Sequence, residues 1–282
     1  MSGMSDPAGE DSPYLDEKEQ RQAAERTQIG PMVIHEIVRE EGLAELARPV
    51  RSLAVSSFAA GLSIGFSFIV EAALQAGLPA SPWRHLVASL GYTVGFLIVI
   101  LGRQQLFTEA TLTALIPALT RRDLPTLRAT FRVWAVVLLF NLLGSAVLAL
   151  ALARTTALPP AIITAMDQIA RAALARPPIT LGVASIGAGW LIGLTVWLLP
   201  GAGPARPWII IMLTYAIAVC KFPHIIAGSV EIAFYAFRGQ GGLAMYFGHF
   251  LLPVLIGNTL GGTALVALLN HGQIAHAFDN RT

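Results

Sequence analysis

Beyond Leu53, apolar residues are gathered into long blocks separated by short polar, charged or proline-rich stretches. The first block, Leu53 to Ala76, has the length of one membrane crossing. Ala59, Ala60, Gly61 and Gly65 give it a face of small residues on which another helix packs closely. Pro79, Pro82, Trp83 and Arg84 follow as a turn and interfacial anchor. The next block, Leu86 to Leu119, is too long for one ordinary crossing and is interrupted at Gly102-Arg-Gln-Gln-Leu-Phe-Thr-Glu109, which predicts a broken helix. Val133 to Ala153 and Ile179 to Leu199 are the third and fourth spans, with a polar hairpin from Arg154 to Pro178 between them. Pro207 to Phe237 is broken in its turn by Lys221, Pro223 and His224, and Gly248 to Leu269 makes the sixth span. In lipid an interrupted backbone leaves N–H and C=O groups unpaired, so each break must lie against protein or water. The expectation is that the two breaks meet.

The two halves repeat. Ala60-Gly-Leu-Ser-Ile-Gly65 in span one matches Ala188-Gly-Trp-Leu-Ile-Gly193 in span four, and Asn141-Leu-Leu-Gly144 in span three matches Asn258-Thr-Leu-Gly261 in span six. Because each copy has an odd number of spans, the second is inverted in the membrane, the arrangement in which discontinuous helices face one another at the midplane. The predicted fold is therefore an all-α polytopic membrane protein, with six spans in two inverted three-span repeats and broken second and fifth helices. This pairs Leu106, Phe107 and Thr108 with Pro223 and His224. Asn141 and Asn258 fit a scaffold role, bonding to the broken backbone.

Residues 1–28 read as a disordered acidic tail, with seven acids against three bases up to Gly30. Residues 29–48 read as an amphipathic interfacial helix with Ile29, Val33 and Ile37 on one face, a soluble packing helix being the alternative. Residues 49–272 form the six-span domain, and 273–282 a short tail. With the N-terminus inside, nine arginines border the inner face (Arg39, Arg48, Arg51, Arg121, Arg122, Arg128, Arg132, Arg206, Arg281) against five outside, so both termini are expected in the cytoplasm of a multi-pass cell (inner) membrane protein.

Composition agrees: 55% of residues are hydrophobic and only 13% charged, which excludes an ordinary soluble domain and any basic nucleic-acid patch. The partners expected are membrane lipid and small solutes. The one cysteine, Cys220, excludes an intrachain disulfide and a cysteine-based metal cluster, and the acidic start lacks the form of a cleavable signal. No cofactor, metal site or catalytic residue is assigned.

His224 is the titratable group at the second break, and in a narrow pore its ring donates a hydrogen bond to a small anion or passes it a proton, a hydrogen bond between helices being the plainer reading. Thr108 offers a hydroxyl opposite, and Leu106 and Phe107 an apolar constriction, ordinary core packing being the plainer reading of those two. Lys221 and Arg103 either pair with Glu71, Glu109 or Glu231, or draw an anion inward.

Gly102-Arg-Gln-Gln-Leu-Phe-Thr-Glu109, the histidine break at His224 and Ile256-Gly-Asn-Thr-Leu-Gly-Gly262 together resemble the formate/nitrite transporter family, from about Leu53 to Asn270. The resemblance implies an aquaporin-like protomer with its own pore, a homopentamer, and passage of small monovalent anions or their conjugate acids. It also implies His224 as the central pore histidine, Leu106 to Thr108 as the loop of the first break, and Tyr92, Phe96 and Ile217 near apolar constrictions. Departures stand at Gln105 and Pro223, where the family commonly has glutamates, and at Gly189 and Gly228, where it commonly has asparagines. They imply a divergent branch with a more cationic site. Three other classes compete. One is a non-transporting protein of the same fold, and another is a pore for a neutral solute. The third is an intramembrane hydrolase built on Ser229 beside His224, which lacks the Gly-x-Ser-x-Gly turn of such nucleophiles.

Overall fold

A computed structural model describes residues 29–263, together with 16–18 and 20 of the N-terminal segment. Most of the predicted tail, the end of the sixth span and residues 273–282 lie outside the described residues. In chain order the helices are α1 (Pro31–Ala47), α2 (Val50–Gly77), α3 (Arg84–Leu101), α4 (Phe107–Thr113), α5 (Leu115–Arg121) and α6 (Leu124–Arg154). They are followed by α7 (Pro160–Ala173), α8 (Pro178–Leu198), α9 (Arg206–Val219), α10 (Ile225–Phe237), a π-helical turn (Met245–Leu251) and α11 (Leu252–Leu260). Starts are set by prolines at the first helical position of α1, α7 and α8, where a missing N–H costs nothing. Asp123 caps α6, its carboxylate accepting from the Thr126 N–H at 2.7 Å.

α2, α3, α6 and the segment 178–201 are each long and apolar enough to cross a membrane. α2 lies against α3 and α6, and in the second repeat α8 lies against α11. The approach is closest at two equivalent glycines: a Cβ on Gly61 would land on the carbonyl of Asn141, and one on Gly189 on the carbonyl of Asn258. Small residues are what let these backbones touch.

The breaks are not simple kinks. α3 crosses fully before it ends, and its end is locked by Arg103 N–H to Ile100 O (3.1 Å) and Gln104 N–H to Val99 O (3.0 Å). α9 ends the same way, Lys221 N–H on Ala218 O and Phe222 N–H on Ile217 O, both at 3.0 Å. Arg103 (φ 51°) and Lys221 (φ 52°) take the left-handed turn that reverses the chain at each end. The chain then doubles back into the interior as an extended strand, and Leu106 and His224, with near-identical backbones (φ −107° for both), start α4 and α10.

Two asparagines hold these returning segments. Asn141 Oδ1 accepts the Phe107 N–H (2.9 Å), while its Nδ2 donates to Gln105 O (2.9 Å) and Ser57 O (2.7 Å). Asn258 Oδ1 accepts the Ile225 N–H (2.8 Å), and its Nδ2 donates to Pro223 O (3.0 Å) and Ser185 O (2.7 Å). Bond for bond, the second repeat copies the first. This register equates Leu106 with His224 and Phe107 with Ile225, a refinement of the pairing drawn from the sequence.

One expectation needs correction. The polar hairpin between spans three and four contains a helix, α7, whose Ala165, Met166 and Ala170 are buried against the neighbouring elements. α1 buries His35, Val38, Gly42 and Glu45, while Ile29 and Val33 of the predicted apolar face are exposed. The buried face is set by what it meets: Gly42 lets α1 rest on the carbonyl of Thr113, which Pro117 leaves without its helical N–H partner.

Removing either asparagine strands one buried N–H and two carbonyls. We expect Asn141→Ala and Asn258→Ala each to lower stability by roughly 3–5 kcal/mol, since each buried unpaired group costs about 1–3 kcal/mol. Thermal unfolding in detergent checks this, and the two variants are expected to give similar losses.

Candidate functional site

The two breaks meet. Thr108 Oγ1 and His224 Nε2 are 2.8 Å apart, joining residues 116 positions distant in sequence at the point where α4 and α10 begin. His224 Nδ1 accepts the N–H groups of Ile226 and Ala227, both at 3.3 Å, so the ring caps its own helix. With Nδ1 held as an acceptor, the neutral ring carries its proton on Nε2 and donates it to Thr108. The Phe96 ring stands edge-on to the imidazole (centroids 5.0 Å apart, planes at 84°), and Tyr92 lies beyond it at 5.2 Å. Thr108, Leu106 and Phe96 are fully buried, and His224 and Phe107 nearly so.

A cavity of about 390 Å³ ends at His224, and Tyr92, Ile217, Pro223 and Lys221 are among its lining residues. Phe96, Leu106, Phe107 and Thr108 lie outside its lining, in the packed core around the pair. The cavity also takes in Glu71, Glu231, Arg176 and His85. Sequence reasoning considered the two glutamates only as counter-ions; their signal was their isolation, as two of the few acids inside long apolar blocks. Gly228 lies on the same wall because the Phe250 ring fills the space a side chain would need.

The two cations lie at helix ends and are exposed. Arg103 is exposed at the end of α3 and pairs with Glu41 of α1 at 3.0 Å, not with a glutamate of a span. Lys221 is exposed at the mouth of the cavity, where Arg176 donates to its carbonyl at 3.0 Å. Since His85, at the start of α3, and Lys221, at the end of α9, line one cavity, these helices run antiparallel and the two cations occupy opposite rims. The third candidate partner, Glu109, has its Oε1 buried with no hydrogen bond among the described residues.

On the Arg103 side, α1 is fastened to the first break by Glu45. The Thr113 hydroxyl donates to Glu45 Oε2 at 2.5 Å. The Gln105 amide, oriented to satisfy both neighbours, donates to Glu45 Oε1 (2.8 Å) and accepts from Arg48 (3.0 Å). A glutamate at position 105 would set two carboxylates together there.

A helical membrane protein whose inverted halves bring two half-helix starts together beneath a solute-sized cavity belongs to the channel and transporter class. The family model described as formate/nitrite transporter matches residues 32–272. The chain belongs to the formate/nitrite transporter family. It is 38% identical over 250 residues to the inner membrane protein YfdC of Escherichia coli (strain K12), covering 89% of this chain and 81% of that protein. It is 27% identical over 256 residues to a probable formate transporter of Methanothermobacter thermautotrophicus, covering 80% of this chain and 91% of the relative. Among solved structures, an FNT family ion channel superposes with a TM-score of 0.71 at 24% identity, over 84% of this chain and 96% of its own. A pentameric formate channel with formate bound superposes with a TM-score of 0.63 at 20% identity, over 78% and 95%. The fold is shared with both.

Burial pushes the Glu45 carboxyl up from its ordinary 4.5 to about 7, against the opposing hydrogen bond from Thr113. The docked helix thus holds this proton more tightly than a free one does. Its contribution to docking is complete below 4.5 and is lost as pH rises through about 7. The difference amounts to about 3 kcal/mol across that window. A spin label on exposed Val33 is expected to gain mobility as pH rises through 7, and Glu45→Gln to flatten the profile.

Proposed function

We propose that this chain is a channel or proton-linked transporter, not an enzyme, for small monovalent anions such as formate and nitrite or their conjugate acids, with one pathway in each protomer. The observation that carries this reading is the 2.8 Å contact between Thr108 Oγ1 and His224 Nε2 at the foot of the cavity. The Nε2–H of His224, which Thr108 Oγ1 accepts in the closed path, and the Thr108 hydroxyl become available to a small anion when the two part. Leu106, Phe107 and Phe96 pack against this point and strip water from whatever passes, with Tyr92 and Ile217 narrowing the approach. Lys221 and Arg103 raise the local anion concentration at opposite mouths. Asn141, Asn258 and Pro223 serve the frame and not the solute.

The formate-related names of a relative and of a solved neighbour support the substrate class, and the pentameric neighbour supports a homopentamer. The inner-membrane relative and the arginine count support an inner-membrane location with both termini cytoplasmic and α1 along the inner face. Exposed Trp208, Met212, Ile179 and Val183 are then lipid or subunit contacts. The reading calls for no cofactor, metal or nucleic acid. One observation favours a non-transporting protein instead: the residues beyond His224 are packed shut. The hydrolase reading gains nothing, because the Ser229 hydroxyl is spent on the Ile225 carbonyl at 2.6 Å.

Purified protein in liposomes should take up formate or nitrite in preference to chloride. We expect His224→Ala to abolish selective, saturable flux, and Lys221→Met to raise the concentration needed for half-maximal flux. Absence of flux of formate, nitrite, acetate and chloride from well-folded protein would decide for the non-transporting reading.

A further inference from the structure

The two glutamates of the cavity have no part in the pathway described so far. Glu231 lies two turns along α10 from His224 and is only 8% exposed, and Glu71 reaches the same cavity from α2. Each lies in the other's electrostatic field. Neither makes a hydrogen bond or ion pair among the described residues, and Lys221 reaches Glu71 only through space. An anion entering past Lys221 and Arg176 therefore meets two carboxyl groups before it meets His224. As carboxylates they would repel it, and they would stand in a membrane interior without a partner. As carboxylic acids they become hydrogen-bond donors aimed into the solute's path.

We propose that Glu71 and Glu231 are the proton donors of the pathway, so that each anion becomes its conjugate acid in the outer cavity before it reaches the Thr108–His224 pair. This rests on the anion-pathway reading and names the form in which the solute crosses. The O–H bond of the glutamic acid breaks and an O–H bond forms on the solute, leaving a carboxylate and a neutral acid. The carboxylate regains a proton from water in the cavity, and one proton moves with each anion. His224 is unsuited to the task, because its Nδ1 is committed to the Ile226 and Ala227 N–H groups and its Nε2 proton points to Thr108. The other ionisable groups facing the pair are His85 and Tyr92 of α3, Arg176 ahead of α8, and Lys221 at the end of α9. The two basic side chains and His85 draw the anion in, and the tyrosine lines the wall.

The test uses full-length protein in liposomes with a pH dye inside and formate outside, comparing wild type with Glu71→Gln, Glu231→Gln and the double variant. Gln keeps the shape and neutrality of the protonated side chain, and unfolding temperatures report whether each variant is intact. Wild type is expected to carry protons inward with formate. Near neutral outer pH the double variant should be slower by at least about tenfold. The deficit should shrink as the outer pH approaches formate's own pKa, because the acid then arrives already protonated. Near neutral pH, the wild type should show an infrared carboxylic-acid C=O band that the double variant lacks, beside the signal that Glu45 leaves in both. Unchanged flux, a deficit equal at every pH, or absence of that band overturns the proposal. Wild-type formate flux without proton uptake overturns it while leaving the anion pathway standing. A wild type that carries no anion overturns the pathway reading and this inference with it.

Discussion

Inside a membrane no water waits to satisfy an open backbone group, and the rest of this structure follows from how two open backbones are closed. Each returning segment leaves an N–H at the first residue of a half-helix and a carbonyl two residues earlier. One asparagine side chain answers both, since it alone pairs an acceptor and two donors on a short stem. Asn141 and Asn258 each add a third bond, to Ser57 O or Ser185 O, which ties the break to the first helix of its own repeat. Glycines 61 and 189 allow that tie, because no side chain separates the backbones there.

The left-handed turns at Arg103 and Lys221 follow from the same geometry. A chain that has crossed the membrane and must return to its middle reverses within a few residues, so the reversal falls at the membrane surface and the half-helix start at the centre. Cations are natural at the first position and untenable at the second. His224 is tolerated at the centre because its ring is neutral and fully bonded: Nδ1 serves its own helix and Nε2 reaches the other repeat. Closing the backbone and bringing the two repeats together are accomplished by one side chain.

Much of this was legible in the sequence, and the illegible parts share a cause. Six apolar blocks, two interruptions and the paired asparagines carry a periodic or compositional mark, and they gave the spans, the inversion and the meeting of the breaks. Whether an interruption is a kink or a full re-entry leaves no such mark, because a three-residue return reads the same either way. For that reason the sequence does not tell whether Arg103 and Lys221 lie within the bundle or at its rims, where the structure puts them. α7 was hidden because a helix that covers other helices needs only one narrow apolar stripe. The buried face of α1 carries no such mark either, because it includes His35, Gly42 and Glu45, residues whose burial depends on partners far away in sequence.

Those distant partners also account for two departures from the family's pattern. Gln105 replaces a carboxylate with an amide, and in this fold the amide is the group that can donate to Glu45 of α1 while accepting from Arg48. Gly228 replaces a polar side chain with none, and the space is taken by Phe250 from the sixth span. Each loss of a polar group near the centre thus has a counterpart elsewhere: a carboxylate brought in by α1 on one side, an aromatic ring on the other. The carboxyl groups of Glu71 and Glu231 lie outside this exchange, because they reach the cavity from α2 and α10 at positions remote from either break.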